Sequence, residues 1–313
     1  MEIAIGIDIG GTNTVFGLVA RDGQCLYRSK FKTQQHPNLN EYLATLNDKV
    51  KEAVSSLNES VDIIGVGVGA PNGNFYEGTI DNAPNLPWKG VIRFSNHLES
   101  YLNLPVKLTN DANAAALGEM TFGGAKGMKN FIEITLGTGL GSGIVSDGKL
   151  LYGHDGLAGE IGHTIVDPEG RQCSCGRLGC LETYVSATGI KRTVLQMLAE
   201  SKAASPLRDY GHNNLTAKLI TKAAQGGDQI ALDAFELAGK YLGLKLADAV
   251  AHTSPEAFFL FGGLAKAGKY ILDPTKKYFD HFLLPVYHNK IKILPSELQN
   301  ESAGILGASA LVW

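Results

Sequence analysis

The stretch Ile3–Gly23, IAIGIDIGGTNTVFGLVARDG, reads as an apolar strand, a Gly-Gly-Thr turn, a second apolar strand and an Asp-Gly turn. The same order of parts returns at Phe131–Gly148, FIEITLGTGLGSGIVSDG. Gly10, Gly11 and Thr12 correspond to Gly137, Thr138 and Gly139, and Asp22-Gly23 corresponds to Asp147-Gly148. Asp-Gly is the short-range signature of a hairpin end. The copies lie too far apart for a solenoid, whose repeats run to roughly 20–50 residues. They predict two related domains. Each glycine turn leaves backbone N–H groups bare and lets an anion approach, so the pair is suited to gripping the phosphates of one nucleotide. The plainer reading, two ordinary glycine-rich hairpins, applies to either turn taken alone. No GxxxxGK[ST] motif and no kinase-type GxGxxG follows a strand, which excludes a P-loop or protein-kinase site.

Outward from the hairpins, strands alternate with helices, which argues an α/β fold. Leu39–Asn58 carries Leu43, Leu46, Val50, Val54 and Leu57 at helical spacing. Val61–Gly69 reads as a buried strand, followed by irregular loops at Ala70–Gly78 and Asn82–Trp88. Val91–Leu102 reads as a helix, Pro105–Leu108 as a strand and Asn113–Met120 as a helix. Further helices are expected near Ser186–Lys202, Leu215–Gln225 and Ile230–Thr253, and strands at Ala257–Phe261 and Ile291–Leu294. The Ala- and Gly-rich Ser302–Leu311 fits a tightly packed terminal helix.

With 313 residues, 44% of them hydrophobic and 19% charged, the chain has room for two globular domains. A net charge of -3 makes no electrostatic case for nucleic acid or an anionic membrane as partner. The amino terminus reads as a strand and not as a signal peptide, because Glu2, Asp8 and glycines interrupt its apolar residues. Four cysteines, three of them clustered, fit a reducing compartment, so a cytoplasmic location is expected.

That cluster lies in Gly159–Glu182, GEIGHTIVDPEGRQCSCGRLGCLE. His163, Cys173, Cys175 and Cys180 form a Cys3His set, the donors of a closed tetrahedral Zn²⁺ site. The alternative is a knuckle with no role beyond local folding. If the metal takes one ring nitrogen of His163, the other is left to donate to a substrate hydroxyl. Glu160 and Glu182 are either acceptors for such hydroxyls or solvated surface charge. Asn110-Asp111 stands where a strand meets an alanine-rich helix. It is either a helix cap or a ligand-binding pair at a strand's carboxyl end, with Asp111 accepting a proton from a sugar hydroxyl. Gly262-Gly263 is a tight turn or a bare-backbone site for an adenine ring. Trp88 anchors its loop or stacks on a sugar, and Cys25 reads as an indifferent thiol.

Taken together, DIGGT at Asp8–Thr12, NDANAAALGE at Asn110–Glu119, TLGTGLGSG at Thr135–Gly143, GEIGH at Gly159–His163 and CSCGRLGCLE at Cys173–Glu182 resemble the ROK family. The family contains bacterial glucokinases, other sugar kinases and sugar-responsive repressors. The likeness runs from Ile3 to the terminal GILGASAL, and the cysteine block is its most specific part. It implies two ribonuclease-H-like (actin-like ATPase) domains with an interdomain cleft, here 1–112 as a smaller domain joined by a terminal helix at 302–313, and 113–301 as a larger one holding the zinc. It implies that Asp8, Gly10, Gly11 and Thr12 lie near the ATP phosphates, with Asp8 helping to place Mg²⁺ through water. Gly137, Thr138 and Gly139 become the second phosphate turn, and Gly262 and Gly263 border adenosine. Asn110, Asp111, Glu160, His163 and Glu182 line the sugar, with Asp111 as general base, and Asn85 joins them from the NLPW loop.

The resemblance thus implies an ATP-dependent hexose kinase, above all a glucokinase. Fructose, mannose, allose or an N-acetylhexosamine are alternative acceptors, and a non-catalytic sugar sensor is a reading of another class. Polyphosphate as donor is disfavoured by the cysteines. The expected partners are a hexose and ATP, with no nucleic acid and no membrane, in a homo-oligomer (dimer or tetramer). With the phosphate hairpin starting at Ile3, no amino-terminal helix-turn-helix of the repressor type is expected.

Overall fold

The structure, a computed structural model, describes residues 1–57, 60–298 and 302–313. The chain forms thirteen strands among the described residues: β1 (Glu2–Ile9), β2 (Asn13–Ala20), β3 (Cys25–Lys32), β4 (Asp62–Ala70), β5 (Gly73–Asn74), β6 (Thr79–Asp81), β7 (Val91–Ile92), β8 (Val106–Asn110), β9 (Phe131–Leu136), β10 (Leu140–Ser146), β11 (Lys149–Leu150), β12 (Ala257–Phe261) and β13 (Lys292–Pro295). Its α-helices are α1 (Leu39–Ser55), α2 (Phe94–Leu102), α3 (Asp111–Phe122), α4 (Ala187–Glu200), α5 (Ala217–Gln225), α6 (Gln229–Thr253), α7 (Lys269–Phe282) and α8 (Ala303–Ser309).

Two compact units result. The first contains Met1–Met128, Lys149–Ala158 and Glu297–Trp313, the second Lys129–Gly148 and Gly159–Ser296. The first unit carries a sheet in the order β3-β2-β1-β4-β8. Its hairpin β1–β2 is antiparallel, while β4 and β8 run parallel to β1. The second unit repeats the plan: β9–β10 is an antiparallel hairpin, and β12 and β13 run parallel to β9. The duplicated hairpins therefore open two sheets of the same topology.

Alternation along β1 sorts its side chains. Ile3, Ile5, Ile7 and Ile9 enter a core with Tyr42, Leu43 and Leu46 of α1. Gly6 and Asp8, on the other face, meet α8. That helix lies almost on the backbone of the sheet: a Cβ on Gly67 would sit 1.8 Å from the carbonyl oxygen of Ala308. Glycine there is a packing requirement, and it explains the small residues of the terminal segment. In the second unit β9 and β12 share a core with α4, α5, α6 and α7.

Several boundaries differ from the sequence expectation. α3 lies wholly in the first unit, where Gly118 packs on Gly307 of α8, so the division falls after Met128 and not at residue 112. The helix expected from Val91 starts at Phe94, because Val91 and Ile92 pair with β6. α1 ends at Ser55, and the expected end at Asn58 lies outside the described residues. α7 was not anticipated; it contains Pro274, a residue that disfavours a helix interior, which here is accommodated and packs against Gly239 of α6. β3 also escaped notice: it is an edge strand with exposed Arg28, Lys30 and Lys32, charges that guard an edge. No described helix is long and apolar enough to cross a membrane.

Candidate functional site

In the first unit the parallel strands β1, β4 and β8 bring their carboxyl ends into one row. Asp8 is in register with Gly69, and Gly69 with Thr109, one residue before Asn110. The middle strand thus contributes no side chain between Asp8 and Thr109, and Asp111 follows directly after the end of β8. Ligands bind at such ends in open α/β sheets. Asn110 closes β8 and caps α3, its Oδ1 accepting from the Ala112 N–H at 2.8 Å. The same N–H reaches Asp111 Oδ1 at 2.9 Å. Capping is therefore real, and it fixes the Asp111 carboxylate at the helix N-terminus while leaving the residue exposed.

Asp8 and Asp111 interact electrostatically. Poor solvation, reinforced by the Asp111 charge, pushes the Asp8 carboxyl up to about 7. Dense surrounding protein also raises Asp111, opposed by hydrogen bonds from the Ala112 and Asp111 amides; its open face limits that rise. Two carboxyls disfavoured as anions in one row suit a cation or a proton in transit.

The first glycine turn is closed by Gly10 N–H donating to Asn13 O at 2.9 Å. Asn85 is exposed and packs over Gly11, where a Cβ would lie 2.9 Å from its own Cβ. Lys89 Nζ ties this loop by donating to the carbonyls of Ala83, Pro84 and Leu86. Trp88 is buried, donates from Nε1 to His36 O at 3.0 Å and packs on Tyr42 and Phe94, so it anchors the loop.

In the second unit, Gly137 N–H donates to Gly139 O at 3.0 Å. The start of α4 holds the turn's carbonyls: Ala187 N–H donates to Gly137 O and Thr188 Oγ1 to Thr138 O. Gly262 follows β12 at φ 102° and lies against Leu136 O, bringing its turn beside the glycine turn. A Cβ on Gly263 would meet nothing within 4 Å, so bare backbone faces open space there.

The ligand atoms of His163, Cys173, Cys175 and Cys180 lie within 4.8 Å of one another. Cys173 Sγ is 3.6 Å from His163 Nδ1, and Cys175 Sγ is 3.6 Å from Cys180 Sγ. Zn–S bonds near 2.3 Å and Zn–N bonds near 2.0 Å at tetrahedral angles separate donors by about 3.5–3.8 Å. The cysteines are free thiols, and the four side chains fit a zinc ion. His163 directs Nδ1 to the sulfurs and its Nε2 toward Glu160, 3.9 Å from Oε2.

Glu182 is the residue whose surroundings the sequence did not disclose. Its Oε2 accepts from Leu140 N–H at 3.0 Å and packs against Gly139, while Oε1 lies 3.9 Å from Cys173 Sγ. Ser142 was missed altogether: its hydroxyl donates to Gly159 O and accepts from Ile161 N–H, tying GEIGH to β10. A serine within a glycine-rich strand offers no local signal of that role. Within each unit, then, the structure gathers the expected residues: Asp8, Asn110 and Asp111, with Asn85 on the turn at Gly11, in the first, and the cysteine block with Glu182 and Gly139 in the second.

The profile of the ROK family matches residues 4–313. A glucokinase of Halalkalibacterium halodurans is 38% identical over 98% of this chain and 94% of its own length. A glucokinase of Streptomyces coelicolor is 35% identical over 99% of the chain and 98% of its length. Among solved structures, a ROK family glucokinase from Streptomyces griseus, in complex with glucose and AMPPNP, superposes with a TM-score of 0.82 at 36% identity, covering 99% of this chain and 98% of that one.

Proposed function

The chain belongs to the ROK family, and from that premise we propose that it is an ATP-dependent glucokinase converting glucose and ATP to glucose 6-phosphate and ADP. The observation that carries the chemistry is the row of Asp8 and Asp111 at the strand ends, set in a chain that matches glucokinases along nearly its whole length. Asp111 serves as general base. As the sugar's 6-hydroxyl oxygen forms its bond to the γ-phosphorus, the bond to the β,γ-bridging oxygen breaks and the hydroxyl proton passes to the Asp111 carboxylate. A loose transition state asks more for positioning than for a strong base, which fits a carboxylate fixed by two amide donors.

Gly10, Gly11, Thr12, Gly137, Thr138 and Gly139 take the phosphates, and Gly262 and Gly263 border adenosine. Asn85, Asn110, Asp111, Glu160, His163 and Glu182 take the sugar hydroxyls. Asp8, whose carboxyl is crowded as an anion, is suited to Mg²⁺ reached through water. His163, Cys173, Cys175 and Cys180 would hold Zn²⁺, which supplies a closed cross-link and no reactive ligand position.

The test is a panel of glucose, fructose, mannose, allose and N-acetylglucosamine with ATP and Mg²⁺, repeated with polyphosphate as donor. The expected result is the highest kcat/KM for glucose with ATP. Asp111→Ala is expected to abolish turnover with every hexose while sugar binding stays measurable. Retained turnover in that variant rules out the base.

A further inference from the structure

Three side chains outside the expected site form a directed chain of hydrogen bonds ending on the first glycine turn. Thr33 Oγ1 donates to the carbonyl of Gly10 at 2.8 Å, and Thr33 N–H donates to the carbonyl of Thr12 at 3.1 Å. One residue thereby clamps both ends of Gly10–Thr12. Thr33 Oγ1 lies 3.0 Å from Thr14 Oγ1, which lies 2.9 Å from the Tyr42 hydroxyl. A carbonyl only accepts, so the Thr33 hydrogen is committed to Gly10. Thr14 must then donate to Thr33, and Tyr42 to Thr14. Thr14, Thr33 and Tyr42 are each fully buried, at 0% exposure, so no water substitutes for a lost member. Burial raises the Tyr42 phenol beyond its usual range, against the Thr14 hydrogen bond and with the Asp8 charge assisting, which keeps it a donor.

The ring of Tyr42 has a second task. It meets Trp88 edge-on with centroids 4.5 Å apart, and Trp88 is the buried anchor of the Asn82–Trp88 loop that bears Asn85. One side chain thus supports two segments: its hydroxyl reaches the glycine turn through two threonines, and its ring holds the loop carrying Asn85.

We propose that Tyr42 is a positioning residue for both substrates, its O–H setting the phosphate turn at Gly10–Thr12 through Thr14 and Thr33, and its ring setting the sugar-side loop through Trp88. The proposal rests on the assignment of Gly10–Thr12 to the ATP phosphates and of Asn85 to the sugar. The two functions separate by substitution: Tyr42→Phe removes the hydroxyl and keeps the ring, while Tyr42→Leu removes both.

The experiment measures KM for ATP and for glucose, kcat and thermal unfolding in the full chain and in five variants. Tyr42→Phe and Thr33→Val are expected to raise KM for ATP by a few-fold to about tenfold, the net worth of one buried hydrogen bond, with KM for glucose changed by less than about twofold. Thr33→Ser, which keeps the hydroxyl, is expected to restore the ATP value, and Tyr42→Leu to raise both KM values. A general loss of folding would instead lower the unfolding temperature and the active fraction without separating the two KM values. Thr12→Val serves as the reference for the turn itself. If it raises KM for ATP while Tyr42→Phe and Thr33→Val do not, the hydroxyl chain is overturned and the phosphate turn stands. If Thr12→Val also leaves KM for ATP unchanged, the phosphate assignment fails and the proposal falls with it.

Discussion

Glu182 Oε2 accepts the backbone N–H of Leu140 at 3.0 Å while its other oxygen lies 3.9 Å from Cys173 Sγ. The carboxylate therefore stands between the cysteine block and the glycine turn that precedes Leu140. Glu160, by contrast, is 58% exposed at its side chain and lies beside His163 Nε2. Glu182→Ala is expected to raise KM for ATP as well as for glucose, because it releases the turn along with a sugar acceptor. Glu160→Ala is expected to raise KM for glucose alone. Steady-state kinetics with each substrate varied in turn checks the contrast, and identical profiles for the two variants would contradict it.

Asp111 must be ionised to accept a proton, and its surroundings raise its pKa above the usual aspartate value. The acid limb of kcat/KM is therefore expected above the pH at which an ordinary aspartate titrates, with activity lost as pH falls through it. Asp111→Asn keeps the shape and the helix cap at Asn110 but cannot take the proton. Its kcat is expected to fall by about 10²–10⁴-fold, the usual size of a general-base effect, and the acid limb set by this residue is expected to vanish. A residual activity with an unchanged limb would assign the limb to another group.

The fold was legible in the chain because its decisive signals are local. Two glycine-turn hairpins with Asp-Gly ends stand in the sequence, and they open two sheets of matching topology. The clustering of His163 with the cysteines was readable for the same reason, as donor identity and spacing are short-range facts. What escaped depends on tertiary contacts. α7 went unassigned, and its Pro274 is accommodated where it packs against Gly239 of α6. β3 was hidden by the charges that protect a sheet edge. The link from Tyr42 to Gly10 runs through two threonines distant in sequence, and no motif announces it. Trp88 was readable only as a choice between core and ligand contact, and burial decides for the core.

The Cys3His cluster predicts about one zinc per chain in protein purified without chelators. Cys175 is exposed while Cys173 and Cys180 are buried, so a strong chelator has an approach from one side. Metal removal is expected to loosen Thr164–Cys180, whose described residues form no helix or strand and are joined by isolated bridges and turn bonds such as Cys173 N–H to Arg177 O. Faster amide exchange in that segment, with β9 and β12 unchanged, is the readout. Metal analysis returning no zinc, or exchange unaffected by chelation, would reduce the cluster to a knuckle of thiols.

Asp8 gives a stability prediction whose sign follows from its surroundings. In the unfolded chain its carboxyl titrates near 4, whereas burial and the Asp111 charge place it at about 7 in the folded protein. The folded state therefore binds this proton more tightly. The associated stability is fully present below about pH 4 and is lost as pH rises to about 7, above which the crowded anion carries its full penalty. The gap between the two values corresponds to at most about 4 kcal/mol, and partial solvent access reduces it. Asp8→Asn removes the charge while conserving shape against Gly304 of α8. Without nucleotide or divalent cation, the variant is expected to be more stable than the parent by about 1–3 kcal/mol at pH 8 and nearly equal to it at pH 4.5. Urea unfolding at both pH values measures this directly. A gain of the same size at both would place its cause in packing and not in the charge, and Mg²⁺ should narrow the difference at pH 8 by favouring the parent's carboxylate.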